Sequence, residues 1–262
     1  MKKKGYKEHL NLEKEDWRLQ AVTTVTEDAK LFTGGEVKKG DTVKKYIQVN
    51  FKKGSLGFGV PNSIALLLNL SHRLFLESKS KFYKLPINKS SKLTQDIDED
   101  SQIFDFYETF FASIILSYTS IETFANEYIP DNYIYERTKK GQKEILDKQD
   151  IERKLPLDEK LLNILPKAMG IKFSTRSKRW PSYKSLKNKR DRIIHMKSKD
   201  RYPDPNKYPK IRQKRLSNNI WNDLVSDPLF NGHETALDMI SHFIGGLSDD
   251  KQPRWYKKYP NK

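Results

Sequence analysis

The feature that most constrains the fold of this 262-residue chain is a long amphipathic pattern between residues 101 and 129. At about 100° per residue, its large apolar side chains fall on one broad face of a single helix, and Pro130 ends the pattern. These side chains are Ile103, Phe106, Tyr107, Phe110, Ile114, Tyr118, Ile121, Ala125 and Tyr128. A helix with so wide an apolar face needs other helices to cover it, which favours a helical bundle.

Other segments supply those helices. Apolar side chains at helical spacing predict a helix over residues 64 to 82, after Pro61-Asn62-Ser63, and three more over residues 157 to 170, 181 to 199 and 231 to 246. The first sixty residues are rich in Val and Thr and predict strands at 20 to 26 and 43 to 51, with turns at the glycines of residues 54 to 59. We therefore predict a mainly α protein. We expect an antiparallel bundle with a basic C-terminal tail over residues 96–262, and a smaller β-rich extension with one helix over residues 1–95.

The composition narrows the classes of function. Lys and Arg exceed Asp and Glu by 16, and such a surface attracts polyanions such as nucleic acid. The chain contains no cysteine, which excludes disulfides, zinc–thiolate sites and cysteine nucleophiles. Its five scattered histidines favour no metal site, and we predict no cofactor. Neither a signal peptide nor a membrane span is predicted, so we expect a soluble, cytoplasmic protein with no membrane partner.

The segment Lys189-Arg190-Asp191-Arg192-Ile193-Ile194-His195 is the strongest candidate for chemistry. On the predicted helix, Arg190 falls inside the apolar stripe, where a cation is costly unless it is paired. Asp191 lies one turn before His195 and is predicted to orient the imidazole. On the preceding helix, Glu122 and Asn126 are predicted to hold Arg190 across the bundle. The alternative is an Arg–Glu pair that only fixes how the helices pack.

Three stretches together resemble the HEPN domain (higher eukaryotes and prokaryotes nucleotide-binding). They are residues 118 to 127 (YTSIETFANE), 157 to 166 (LDEKLLNILP) and 180 to 195 (WPSYKSLKNKRDRIIH). The resemblance covers roughly residues 100 to 247. It rests on the order of these segments as well as on Arg-x4-His, with a polar residue directly after the arginine.

The resemblance implies a helical bundle that dimerises and cleaves RNA without a metal ion. His195 would be the acid or base at the ribose 2′-hydroxyl or the leaving oxygen, Arg190 would stabilise the charge on phosphorus, and Asp191 would orient His195 or the substrate. A toxin–antitoxin or antiviral defence context follows, with an antitoxin or defence-system protein as a further partner. Some HEPN proteins are non-catalytic, so a nucleic-acid-binding or oligomerisation module is the alternative.

Cations and tyrosines cluster directly after this motif. We predict that they bind RNA, with phosphates on the cations and bases on the rings. The residues are Arg192, Lys197, Lys199, Arg201, Tyr202, Lys207 and Tyr208. A solvated, proline-rich connector explains most of the same residues equally well.

Overall fold

The protein is mainly helical with small antiparallel sheets, as the sequence predicted. The computed structural model describes residues 16–20, 22–30, 36–44, 46–85, 97–139, 141–195, 224 and 227–260. Contacts divide the chain into two compact units, residues 1–66 with 248–262 and residues 67–247. This division differs from the boundary near residue 95 that the sequence predicted. It assigns most of the first helix to the helical unit and the chain's last residues to the other unit.

The first unit contains short antiparallel pairs of strands. The strands are β1 (Val22–Thr24), β2 (Ala29–Lys30), β3 (Glu36–Val37), β4 (Thr42–Lys44), β5 (Tyr46–Phe51) and β6 (Gly54–Gly59). They pair as β1 with β4, β2 with β3, and β5 with β6.

The prediction of turns over residues 54 to 59 is wrong, because this stretch is strand β6. In the β5–β6 hairpin, Ile47 lies opposite Phe58 and Val49 opposite Leu56, so apolar cross-strand pairs outweigh the glycines. Of the glycines in β6, Gly54 alone has a positive φ, 147°, immediately after the turn.

The helical unit contains the longer elements. They are α1 (Ser63–Phe82), α2 (Ile97–Glu127), β7 (Tyr135–Lys139), β8 (Gln142–Leu146), α3 (Lys148–Lys154), α4 (Leu157–Glu159), a π-helical turn (Lys160–Ile164), α5 (Leu165–Met169), α6 (Arg179–Ile194) and α7 (Gly232–Gly245). The first four residues of α1 belong to the first unit, which ends at residue 66. A 3-10 turn (Asp249–Lys251) and α8 (Arg254–Lys257) follow in the first unit.

The core of the helical unit forms where α2, α6 and α7 pack against one another. Helix α2 contributes fully buried Phe110, Ile114 and Ile121, and α7 contributes Ile240 and Phe243. Asn231 caps the start of α7, because its side-chain oxygen accepts a hydrogen bond from the Glu234 backbone N–H. The helices predicted over residues 64 to 82, 101 to 129 and 231 to 246 are therefore present, with ends shifted by a few residues. The helix predicted over residues 157 to 170 instead forms as α4, the π-helical turn and α5 in succession.

Three short elements between α2 and α4 were not predicted from the sequence. Strands β7 and β8 form an antiparallel hairpin, and α3 follows it. Arg137 in β7 forms salt bridges with Glu144 in β8, at 2.7 Å, and with Glu159 in α4, at 2.9 Å. The hairpin is thus tied to the start of the helical segment that carries the π-helical turn. None of the described helices has the length and apolar character needed to cross a membrane.

Candidate nucleic-acid interface

Helix α6 carries the candidate motif, and tertiary contacts rather than its composition hold it in place. Most of its residues are polar, but Tyr183 and Leu186 are fully buried between α2 and α7. Pro181 lies in the first turn, where its missing N–H costs no hydrogen bond. The described helix ends at Ile194, and His195 is its C-cap residue, whereas the sequence predicted a helix that continues to residue 199.

Arg190 lies at the edge of the core, against α2. Its guanidinium carbon lies 4.8 Å from the centre of the Tyr118 ring, and Nη1 donates a hydrogen bond of 2.8 Å to the Asp191 carboxylate. The side chain is 26% exposed. A guanidinium has five N–H donors, and Asp191 is the only described residue to accept a hydrogen bond from Arg190. The guanidinium therefore contacts the Tyr118 ring with one face and Asp191 along one edge. Its other N–H groups can donate to a further acceptor.

Asn126 does not support Arg190, so that prediction is wrong. Its amide oxygen instead accepts a hydrogen bond of 2.8 Å from Lys160 Nζ, which also donates to the Glu152 carbonyl at 2.9 Å. Lys160 is 1% exposed, and an ammonium group buried this deeply needs oxygen acceptors. Burial lowers its pKa, and the negative charges of Glu122 and Glu152 oppose that shift.

Glu122 lies near the candidate site without pairing with Arg190. Among the described residues, no salt bridge or hydrogen bond joins these two side chains. The Glu122 charge does act on Tyr118, and the Arg190 guanidinium lies over the Tyr118 ring. Burial raises the pKa of Tyr118 to about 12, Glu122 adds to that shift, and the Arg190 charge opposes it. The predicted Glu122–Arg190 pair is therefore wrong as a direct contact.

Asp191 and His195 are connected through the backbone only. The His195 N–H donates a hydrogen bond of 2.9 Å to the Asp191 carbonyl, while the Asp191 carboxylate pairs with Arg190. The His195 side chain is exposed at the end of α6. The prediction that the Asp191 carboxylate orients the imidazole is therefore wrong for this structure, because the neighbouring guanidinium binds that carboxylate.

Asp158, which no sequence pattern singled out, connects α4 to α6. Its carboxylate accepts hydrogen bonds from Tyr183 Oη at 2.6 Å, Lys184 Nζ at 2.9 Å and Lys187 Nζ at 2.8 Å. Partial burial favours the neutral acid, but the hydrogen bonds from Lys184, Lys187 and Tyr183 outweigh it and lower the pKa of Asp158. Burial, followed by the bond to Asp158, raises the pKa of Tyr183. The Tyr183 ring stacks on the Tyr118 ring, with centroids 6.2 Å apart. A chain of contacts thus runs from the two lysines through Asp158, Tyr183 and Tyr118 to Arg190.

The remaining predicted RNA-binding residues lie mostly beyond the described part of α6. Arg192 is exposed on this helix. The others, Lys197, Lys199, Arg201, Tyr202, Lys207 and Tyr208, fall outside the described residues. The described residues also contain no cluster of three or more His, Asp or Glu side chains arranged to hold a metal ion.

Charge is distributed unevenly between the helices that form this site. Residues 160 to 195 contain eleven Lys and Arg and one acidic residue, Asp191. Helix α2 contains seven Asp and Glu and no Lys, Arg or His. Of these two parts of the helical unit, α6 and the segment that leads into it are therefore expected to attract a polyanion, and α2 is not.

Comparisons with protein-family models, with curated proteins and with solved structures found no match to this chain.

Proposed function

We propose that this protein is a metal-independent endoribonuclease of HEPN type, in which Arg190 and His195 act on RNA. The proposal includes a HEPN-like bundle built on α2, α6 and α7, a homodimer, and a toxin–antitoxin or defence context. It combines the resemblance of residues 100 to 247 to that family with the basic character of α6.

The observation that supports the proposal is that the Arg190 guanidinium donates to one acceptor only among the described residues. A half-buried cation normally uses its donors on protein acceptors, whereas Arg190 gives one hydrogen bond to Asp191 and lies over the Tyr118 ring. The remaining donors suit a phosphate group, which arginine binds through two N–H groups at once. His195 follows on the same helix, and its exposed side chain is accessible to a substrate.

The chemistry needs only these two kinds of group. The ribose 2′-oxygen attacks the adjacent phosphorus, and the bond from phosphorus to the 5′-oxygen breaks, which leaves a 2′,3′-cyclic phosphate and a 5′-hydroxyl. His195 takes the proton from the 2′-hydroxyl or gives one to the departing 5′-oxygen, and solvent water makes the other proton transfer, so that protons balance. Arg190 stabilises the negative charge that develops on the phosphoryl oxygens. RNA supplies its own nucleophile, so the reaction requires no metal-bound water.

A specific observation favours a second candidate, a non-catalytic HEPN-fold module that binds nucleic acid or oligomerises. The Asp191 carboxylate pairs with Arg190 and leaves the imidazole without the carboxylate partner that a proton-transfer role predicts. Arg190 would then be structural. In that case Arg190→Ala lowers the free energy of unfolding by roughly 1–2 kcal/mol, through the loss of its contact with the Tyr118 ring, and His195→Ala changes neither stability nor binding.

The deciding experiment compares wild type, Arg190→Ala and His195→Ala, expressed at matched levels in a bacterial host. A ribonuclease arrests growth and fragments RNA, both substitutions abolish the fragmentation, and the fragments end in 2′,3′-cyclic phosphates. Arg153→Ala, which removes an exposed arginine from α3, is the matched control and keeps wild-type behaviour. Fragmentation that persists in His195→Ala contradicts the proposed mechanism. Purified protein that binds RNA and leaves it intact favours the second candidate.

A further inference from the structure

Helix α6 has a second cationic surface, N-terminal to Arg190, that the sequence analysis did not assign to RNA. It consists of Lys184 and Lys187, which we call the lysine pair. At about 100° per residue, this pair shares one face of α6 with Asp191 and His195, within an arc of about 80°. The face rises about 16 Å from Lys184 to His195, since each residue adds about 1.5 Å.

The lysine pair is held in place but not neutralised. Both ammonium groups bind the Asp158 carboxylate, so two positive charges share one negative charge. The side chains of Lys184 and Lys187 are 38% and 21% exposed. Each ammonium group has three donors and gives one hydrogen bond to Asp158, and no other described residue accepts a hydrogen bond from either. This leaves a net positive, partly exposed and fixed site.

An aromatic ring lies at the start of the same face. Lys184 Nζ lies 5.6 Å from the centre of the half-buried Trp180 ring. A lysine next to an aromatic ring is the combination that single-stranded nucleic acids use, with a phosphate on the cation and an unpaired base on the ring. A base within a duplex cannot stack on a side chain in this way.

We propose that Lys184 and Lys187 bind phosphates of a single-stranded RNA that runs along α6 toward His195. In the free protein, Asp158 occupies the lysine pair and holds both ammonium groups in place, and the phosphates compete with it when RNA binds. The inference rests on the proposed function only in naming RNA as the ligand. The lysine pair thus contacts the part of the RNA that lies on the N-terminal side of Arg190. The cations predicted after residue 195 would contact the part on the other side.

A purely structural role for the lysine pair makes a different prediction. There the lysines only compensate Asp158 and fasten α4 to α6, so the removal of any member of the cluster lowers stability and leaves RNA affinity unchanged. Under the proposal, the lysine substitutions and the Asp158 substitution change RNA affinity in opposite directions. Removing the lysine charges weakens binding, and removing the Asp158 charge strengthens it, because the competing carboxylate is gone.

The test measures the affinity of the full chain for a labelled single-stranded RNA at several salt concentrations. All variants carry His195→Ala, so that cleavage does not consume the probe. We expect Lys184→Gln with Lys187→Gln to weaken binding roughly tenfold at low salt and to reduce the salt slope by about 1.4, the value for two phosphate contacts on a single strand. We expect Asp158→Asn to strengthen binding severalfold.

The matched control replaces Lys143 and Lys154 with Gln. Each of these lysines also pairs with a carboxylate, Glu136 and Asp150 respectively, but they lie on β8 and α3 rather than on α6. The control keeps the parent affinity and salt slope. Thermal unfolding of every variant verifies that the comparison is made between folded proteins.

Several results overturn the inference. They are a parent protein that binds no RNA, an Asp158→Asn variant that is folded but binds no more tightly, or a double lysine variant with unchanged affinity. Duplex RNA of the same sequence that binds as tightly, with the same loss on lysine substitution, overturns the single-strand assignment. Cleavage that persists in the His195→Ala background refutes the proposed function alone, because the affinity comparison is then made with an RNA whose 2′-hydroxyls are blocked and still decides the role of the lysine pair.

Discussion

At the scale of single residues, the buried ammonium group of Lys160 depends on Asn126. Its Nζ has two oxygen acceptors, the Asn126 amide at 2.8 Å and the Glu152 carbonyl at 2.9 Å. We expect Asn126→Ala to lower the free energy of unfolding by roughly 2–4 kcal/mol, because it leaves a buried charge short of an acceptor. Lys160→Met should cost less, since it removes the charge and keeps most of the volume. Chemical denaturation measures both, with Asn188→Ala on the exposed side of α6 as control. Equal losses for the two variants would contradict this account.

His233, at the start of α7, makes stability depend on pH. Its ring is 5% exposed, stacks on His72 with centroids 4.5 Å apart, and has Nδ1 3.3 Å from the Ser71 hydroxyl. Burial, followed by repulsion from His72, lowers the pKa of His233 to about 4. Between about pH 6.5 and 4 the unfolded chain therefore binds a proton that the folded protein does not, and stability falls as the pH falls.

The predicted loss from His233 is roughly 3 kcal/mol over that range. Chemical denaturation at a series of pH values measures it. We expect His233→Asn, whose side chain does not titrate there, to show a flatter dependence than wild type between pH 6.5 and 4, whatever its stability at neutral pH. A dependence as steep as that of wild type would assign the acid sensitivity to other groups.

At the scale of elements, the end of α5 illustrates a backbone requirement that side-chain contacts do not explain. Gly170 is the C-cap residue with φ 69°, and a Cβ atom built there has no neighbour within 4 Å. The cost of a side chain at this position is therefore the left-handed backbone alone. We expect Gly170→Ala to lower the free energy of unfolding by about 1 kcal/mol and Gly170→Asn by less, because asparagine tolerates this conformation. Thermal unfolding of the two variants tests the order, and equal stability of Ala and Gly would contradict it.

The elements that could be predicted from the sequence are those whose own apolar pattern determines them. Helices α1, α2 and α7 have buried stripes at helical spacing, and their predicted ends differ from the observed ends by a few residues. The β7–β8 hairpin was not predicted, because Arg137 pairs with Glu144 in the next strand and with Glu159, 22 residues away. Long-range ion pairs of this kind leave no local periodicity.

In the candidate site, too, the contacts between distant residues could not be predicted from the sequence. The apolar stripe of α6 directed attention to Arg190, which lies over the Tyr118 ring. Its partners were assigned wrongly, because Asn126 pairs with Lys160 and Asp191 pairs with Arg190. These choices depend on which charges are buried together, and a sequence pattern does not contain that information.

At the scale of the whole molecule, the net charge of +16 conceals two helices of opposite character. Helix α2 has no basic residue, whereas α6 has six Lys and Arg and one Asp. The two helices pack against each other in the helical unit, so the buried side of α6 faces an acidic helix and its exposed side is basic. If the protein binds RNA as proposed, the strand is expected on the α6 side of this pair and not on the α2 side.

The positions of Arg190 and His195 on α6 bear on the oligomeric state that the proposed function requires. Five residues apart, they point in directions that differ by about 140° around the helix axis. Arg190 faces Tyr118 on α2, and His195 is exposed at the helix end. One copy of the chain therefore presents its cation and its imidazole in different directions, whereas two copies can place the arginine of one beside the histidine of the other. We predict a homodimer with a mass about twice 30.8 kDa by light scattering.

Mixed dimers test this arrangement directly. Arg190→Ala and His195→Ala are each expected to be inactive alone. When they are co-expressed, each mixed dimer retains one intact arginine and one intact histidine on opposite copies, which is the pair that a composite site uses. We therefore expect RNA cleavage to recover to a fraction of the wild-type rate, near the share of mixed dimers multiplied by one half. Inactive mixtures would place both groups of each site in the same copy, and a fully active monomer would exclude a composite site.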